Sequence, residues 1–211
     1  MSKVRSSEEP LRLFESDFLE FFTHIHPAVV LVIWLPVAGY FLYRAIVTRP
    51  AGLSPLYIPL AFGVGLFVWT LAEYSLHRFI FHFEPRTPWQ ERLSFLFHGV
   101  HHAQPMSKSR LVMPPAVSIP LALLFYAAFQ GLLGGLLGRG HWVPPLFSGF
   151  VFGYLAYDML HYSTHHFRIR GGYLQQVRRH HMRHHGATPD LRFGITTKHW
   201  DRAFGTLPEE G

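Results

Sequence analysis

Residues Leu56 to His82 read LYIPLAFGVGLFVWTLAEYSLHRFIFH. From Leu56 to Leu76 the only charged side chain is Glu73. That run meets the length of about 20 mostly apolar residues that a membrane-crossing helix needs. It then passes straight into H-R-F-I-F-H, which holds His77 and His82. Outward from this stretch lie three more apolar runs: Pro27 to Ile46, Val112 to Leu137 and Val143 to Leu160. The third run in chain order has Pro114, Pro115 and Pro120 near its start. It is separated from the fourth only by a turn around Gly138-Arg139-Gly140, so the two read as a helical hairpin. Pro and Gly within spans are tolerated because neighbouring helices re-satisfy freed backbone groups. The expected fold is all-α: a polytopic membrane protein with four transmembrane helices and a cytosolic helical cap.

Composition agrees with lipid as the main solvent. The chain has 211 residues, 49% hydrophobic and only 15% charged, where a soluble domain carries about 25% charged residues. It contains no cysteine, which excludes disulfides and thiolate metal sites. The net charge of +6 does not point to nucleic acid, because apolar runs of this length cannot stay in water. Basic residues beside apolar spans report orientation instead. Lys3, Arg5 and Arg12 precede the first span, five cations follow the second and eight follow the fourth, leaving only Arg44, Arg49 and Arg139 for the opposite side. Both termini and both long polar segments are therefore expected in the cytoplasm. The N-terminus has no signal-peptide layout. Leu11, Phe14, Phe18, Phe21 and Phe22 recur at helical spacing over residues 11–22, which fits a helix lying in the membrane interface or one packed on the cytosolic part. The expected organisation is one domain over 1–211: an N-terminal segment (1–26), the spans with the first His-rich segment (27–160) and a C-terminal His-rich cap (161–211).

Histidine is the anomaly, with 16 residues. All but His24, His26 and His141 lie in the segments 77–110 and 161–211, mostly in four clusters: His77 and His82; His98, His101 and His102; His161 and His165; His181, His184 and His185. Positions three and four apart share a helix face, so the last three clusters can each aim together. His77 and His82 are five apart, which turns them about 140° from one another on a regular helix. They serve two metals, or the helix breaks between them. An isolated His pair is usually decoration, but four clusters on one predicted membrane face in a cysteine-free chain read as metal ligands. Neutral imidazole suits Zn, Fe, Cu and Ni. Ten are too many for one ion and suit two held close together. Arg78, Arg178, Arg179 and Arg183 lie beside these clusters and disfavour protonated imidazole. They also fit an acidic electron donor. Glu73 and Asp158, at the inner ends of spans two and four, are candidates to orient a ligand imidazole. His166, His180 and His199 stay open between supporting and solvated roles.

Three stretches carry a resemblance: Glu73–His82, Gly153–His166, and His180–Glu210, with H-H-M-R-H-H followed by Trp200-Asp201 and the ending Thr206-Leu207-Pro208-Glu209-Glu210. Over roughly residues 55–210 the chain resembles the fatty acid 2-hydroxylase family, within the membrane-bound fatty acid hydroxylase and sterol desaturase superfamily. The resemblance implies a dimetal site on His77, His82, His98, His101, His102, His161, His165, His181, His184 and His185. It also implies oxidation of C2 of a long acyl chain, free or in sphingolipid, with O2 and two electrons. Eukaryotic members carry an N-terminal cytochrome b5 domain with a His-Pro-Gly-Gly motif. Here His26-Pro27 is followed by Ala28, so a separate carrier of ferredoxin or cytochrome type is expected, in a bacterial inner membrane rather than the endoplasmic reticulum.

Cleaving an unactivated C–H bond requires redox-metal chemistry. Two iron ions with O2 as co-substrate are expected, and zinc could occupy the same nitrogens in purified protein, since affinity favours it over ferrous ion. The alternatives are a sterol or carotenoid hydroxylase or desaturase with the same His framework, and a non-enzymatic membrane metal sensor. A transporter would place His within its spans, unlike this chain.

Overall fold

A computed structural model describes residues 10–208. Lys3, Arg5, Glu209 and Glu210, used above, lie outside the described residues. Within them the regular structure is entirely helical. The main helices are α1 (Asp17–Phe21), α2 (Pro27–Val47), α3 (Tyr57–Ser75), α4 (Pro88–Ser94), α5 (Val100–Ala103), α6 (Pro115–Phe129), α7 (Val143–His166), α8 (Gly172–His185) and α9 (His199–Ala203). Three of the helices are continued by π-helical turns: α3 by Leu76–Phe81, α4 by Phe95–Gly99 and α6 by Gln130–Leu136.

Three helices are long and apolar enough to cross a membrane: Pro27–Val47, Tyr57–Phe81 and Pro115–Leu136. They match three of the four expected spans to within a few residues, apart from the π-helical extension to Phe81. The fourth expected span falls on α7, whose last turns carry Asp158, His161, His165 and His166. That polar end keeps α7 from qualifying on apolarity alone.

The chain divides into two compact units. One comprises Ala28–Thr70 and Met113–Ala156. Its helices turn many apolar side chains outward, with Val32, Leu123 and Leu136 all more than 60% exposed, as a lipid-facing surface does. Inside, packing relies on close backbone approach and aromatic edges. A Cβ on Gly149 would fall 2.0 Å from the Phe62 carbonyl oxygen, so only glycine lets α7 meet α3 there. Trp69 stands edge-on to Phe150 and Tyr154, with centroids 5.1 and 5.3 Å away. Polar side chains bridge its helices: Trp34 Nε1 donates to Ser118 Oγ at 3.2 Å, and Ser148 Oγ to the Ala38 carbonyl at 2.8 Å. A narrow apolar cleft is lined by Trp34, Trp69, Leu121, Phe125, Val151 and Tyr154 among others. The expected hairpin is present, turning through Gly138 at φ +62° and a short 3₁₀ segment, Gly140–Trp142.

The other unit comprises the N-terminal residues to Pro27, Leu71–Val112 and Tyr157–Gly211, and holds every candidate ligand. The helix expected over 11–22 is only Asp17–Phe21. Glu20 Oε2 accepts the backbone N–H of Leu13 and of Phe14, both at 2.9 Å, which holds those residues out of a helical ladder. The Glu20 carboxylate also pairs with Arg110, whose guanidinium reaches the Leu11 carbonyl. Phe18 and Phe21 remain 72% exposed, an apolar face free to meet lipid.

Candidate metal centre

The π turn decides the first pair. Its i→i+5 bond, His82 N–H to the His77 carbonyl at 3.1 Å, stacks residue 82 over residue 77. A regular α turn would have separated them. Their ring centroids lie 5.0 Å apart, and both join one group of imidazoles: His77, His82, His98, His102 and His184. The second group is His101, His161, His165, His181 and His185. In each group the five ligand nitrogens lie within 4.8 Å of one another. All ten His singled out from the sequence are thus brought together, five and five, and neither group includes a carboxylate.

The two H-x-x-H-H motifs divide in the same way. His98 and His102 serve the first group and His101 the second, while His181 and His185 serve the second and His184 the first. On a helix, residues i+3 and i+4 flank residue i and point about 100° apart. One short helix can therefore face two centres. The groups touch: the His102 and His185 rings are 4.3 Å apart and the His98 and His101 rings 5.2 Å.

Nitrogen meets nitrogen at the middle of each group. Nε2–Nε2 distances are 3.0 Å for His77–His98, 3.1 Å for His82–His184, 3.0 Å for His101–His161 and 2.8 Å for His165–His181. A metal–nitrogen bond of about 2.0–2.1 Å sets neighbouring ligand nitrogens roughly 3 Å apart at a right angle. The buried Nδ1 atoms of His101, His161, His165, His181 and His185, and Nε2 of His102, have no hydrogen-bonding partner. Buried polar atoms are normally paired. It is the Nε2 atoms that converge, nitrogen against nitrogen, an arrangement that cations complete, and the donor set fits two metal ions.

Burial holds the imidazoles neutral. It pushes His82 down to about 3, His102 to about 2 and His184 to about 4, and takes His98, His101, His181 and His185 well below the usual histidine range. Neighbouring imidazoles reinforce most of these shifts. The nearby arginines are not among the principal causes for these seven groups.

Outer partners orient two of the imidazoles. The Phe193 carbonyl lies 2.6 Å from His77 Nδ1 and the Leu191 carbonyl 2.7 Å from His184 Nδ1. Each can take an N–H there, which leaves Nε2 as the free donor atom. Glu73 touches no ligand ring. Its Oε1 accepts the N–H of Ile195 and Thr196 at 2.6 and 2.7 Å, securing the segment that carries the Phe193 carbonyl. Asp158 is buried and stands in neither imidazole group.

His180 Nε2 faces Asp201 Oδ2 at 3.0 Å, so it supports the loop and takes no place in either group. His166 packs on Tyr162, and His199 is exposed beside Trp200. Sequence reading gave Asp201 no role. The structure makes it the anchor of the loop: Oδ1 accepts from Phe193 N–H (2.8 Å) and the Thr206 hydroxyl (2.7 Å), and Oδ2 from Gly194 N–H (2.9 Å). Gly194 is required there, since a Cβ would lie 2.1 Å from the Thr197 carbonyl oxygen. The available signal was the Phe193-Gly194 step shortly before Trp200-Asp201.

A family profile described as fatty acid hydroxylase matches residues 62–206. Dihydroceramide fatty acyl 2-hydroxylase FAH2 of Arabidopsis thaliana is 36% identical over 93% of this chain and 80% of its own length. Ceramide very long chain fatty acid hydroxylase SCS7 of Saccharomyces cerevisiae is 39% identical, and human fatty acid 2-hydroxylase 35%. The chain covers 90% and 95% of itself in those two matches but 48% and 58% of the relatives. A solved structure of full-length scs7p, with only the hydroxylase domain visible, superposes with a TM-score of 0.82 at 38% identity, over 92% of this chain and 72% of that one. The chain belongs to the fatty acid hydroxylase family.

Proposed function

We propose that the protein hydroxylates C2 of a long acyl chain, free or in a ceramide-type lipid, with O2 and two iron ions. Its relatives are named for hydroxylation of fatty acyl chains, at the 2-position in the plant and mammalian enzymes. The observation that carries the reading is the convergence of ten imidazoles, seven buried and three half-buried, into two adjoining groups of five. Iron is favoured over zinc because zinc has no redox change. When bound, the two ions supply the O2 reduction and C–H cleavage that no side chain here can perform.

The chain's own residues do the rest. The carbonyls of Phe193 and Leu191 hold His77 and His184 in the tautomer that leaves Nε2 free. Burial keeps the imidazoles unprotonated, the form that binds metal. His181 and His184 have no solvent exposure, and a dry site limits escape of oxidising species. Glu73 acts through the loop it grips, and we assign Asp158 a similar positioning role beside His161. The acyl tail lies among the apolar helices, with the Trp34–Trp69 cleft as its candidate seat, where each buried CH2 contributes roughly 0.8 kcal/mol.

In this reading α7 is the fourth span over Val143–Leu160, the chain is one functional domain, and the His-rich segments face the cytoplasm, where the excess of Lys and Arg sits. A bacterial inner membrane and a separate ferredoxin- or cytochrome-type donor complete it. The test is expression of wild type and His184→Ala in a bacterial host fed long-chain fatty acids, with mass spectrometry of hydrolysed lipids. A 2-hydroxy acid present with wild type and absent with the variant supports the proposal. A hydroxyl elsewhere on the chain removes the C2 assignment.

A further inference from the structure

A line of aromatic rings leads from the surface to the first imidazole group. Phe204, 51% exposed, stacks on Trp200 with centroids 5.9 Å and planes 22° apart. On its other side Phe204 stacks on buried Tyr74, at 5.3 Å and 19°. Tyr74 meets Phe193 edge-on at 6.1 Å. Phe193 in turn lies 5.7 Å from the rings of His77 and His184 and 5.4 Å from that of His82. Every ring-to-ring step is thus close to 6 Å or shorter. Tyr and Trp are the side chains that one-electron oxidants oxidise most readily, and the intervening Phe rings are short tunnelling bridges.

Tyr74 also has what a redox-active phenol needs, a path for its proton. Arg78 Nη1 donates to the Tyr74 oxygen at 2.8 Å. The Thr206 hydroxyl donates its only proton to Asp201 Oδ1 at 2.7 Å. The 2.9 Å contact between Tyr74 and Thr206 is therefore a donation from the phenol. The sense of the chain is Tyr74 O–H to Thr206 Oγ1 to Asp201, all of it buried.

We propose that Tyr74 is a one-electron relay between the surface pair Trp200/Phe204 and the metal pair. This rests on the reading of the imidazole groups as a redox-metal site. Tyr74 gives one electron to the oxidised metal pair through Phe193. Its phenolic proton passes to Thr206 as the Thr206 proton passes to Asp201, leaving a neutral phenoxyl radical. An electron from an iron–sulfur or haem reductant, entering at Trp200/Phe204, re-forms the phenolate oxygen, and Asp201 returns the proton. Without substrate the same steps carry oxidising equivalents away from the ligands.

The experiment has two arms, both on the full chain in detergent. First, metal-free protein is oxidised by a flash-generated one-electron oxidant in solution and its radicals are read by electron paramagnetic resonance. A tyrosyl component in wild type beyond that of the exposed tyrosines, lost in Tyr74→Phe and diminished in Thr206→Val, is expected. A signal unchanged in Tyr74→Phe overturns the relay. Second, iron-loaded protein is exposed to O2 without substrate or reductant and freeze-quenched. The same Tyr74-dependent signal is expected. If iron is bound and O2 consumed with no such radical, the relay is overturned. If iron does not bind or O2 is not consumed, the redox-metal reading fails, and the first arm alone decides whether Tyr74 connects to the surface. Unaltered iron content in Tyr74→Phe separates loss of the phenol from misfolding.

Discussion

Glu73 shows how one side chain can matter without touching a ligand. Its carboxylate satisfies two backbone N–H groups and the Thr196 hydroxyl. Glu73→Ala removes the acceptor of all three donors. Leaving buried donors unmet costs about 1–3 kcal/mol, so thermal melting of the variant should fall accordingly. Iron content should drop further than Glu73's distance from the ligand rings alone suggests, because the Phe193 carbonyl loses its footing. Normal melting with normal metal content would remove Glu73 from the support of the site. His101→Ala should do more, since His101 meets His161, His165 and His185 at 4.5–4.8 Å. Hydroxy-acid product should vanish, and metal analysis should show at least one ion lost.

At the scale of elements, the π turn after α3 is the sharpest case. Inserting an alanine after Ile80 would set His77 and His82 six apart and turn them about 120° from one another on a regular helix. Circular dichroism should stay helical while bound metal falls; unchanged metal content would show that the turn is not what aligns His77 with His82. The spacing of five in H-R-F-I-F-H was legible in the sequence as a misfit that left two readings, separate metals or a break in the helix; both His fall in one group, and the break is the π turn. The three strongly apolar helices were equally legible, because their signal is local hydropathy. The allocation of His98, His101 and His102 was not. Helix phase places all three on one side, but which neighbour each meets depends on α7 and α8, contacts between residues far apart in sequence. The anchoring of the loop by Asp201 escaped for the same reason, as did the shortness of α1, whose ladder is interrupted by a carboxylate with its own demands.

At the scale of the whole molecule, the neutral imidazoles set a pH dependence for the metal-free protein. In the folded chain His82, His102 and His184 take protons only near 3, 2 and 4, whereas in the unfolded chain histidines do so at about 6.5. Between these values the unfolded state binds more protons, so stability is full above about 6.5 and declines as pH falls through the window. Melting temperature of metal-free protein should drop steeply across it. Bound metal should flatten the decline until protons displace it. A melting temperature insensitive to pH across that window would show the imidazoles to be solvated. Crossed sharing of imidazoles makes metal uptake a property of the whole His-rich unit: α5 and α8 each serve both groups, so the first ion organises the second, and titration with ferrous iron should be cooperative.

The absence of carboxylates from both groups has a further consequence. Ten neutral nitrogens add no negative charge, so two divalent cations there would keep their entire charge in a buried, weakly polarisable setting. Such a centre resists losing further electrons and draws in whatever anion can reach it. Fluoride, azide or the head of an unesterified fatty acid would bind by charge alone. An ester or amide of the same acid, carrying no charge, would arrive without becoming trapped.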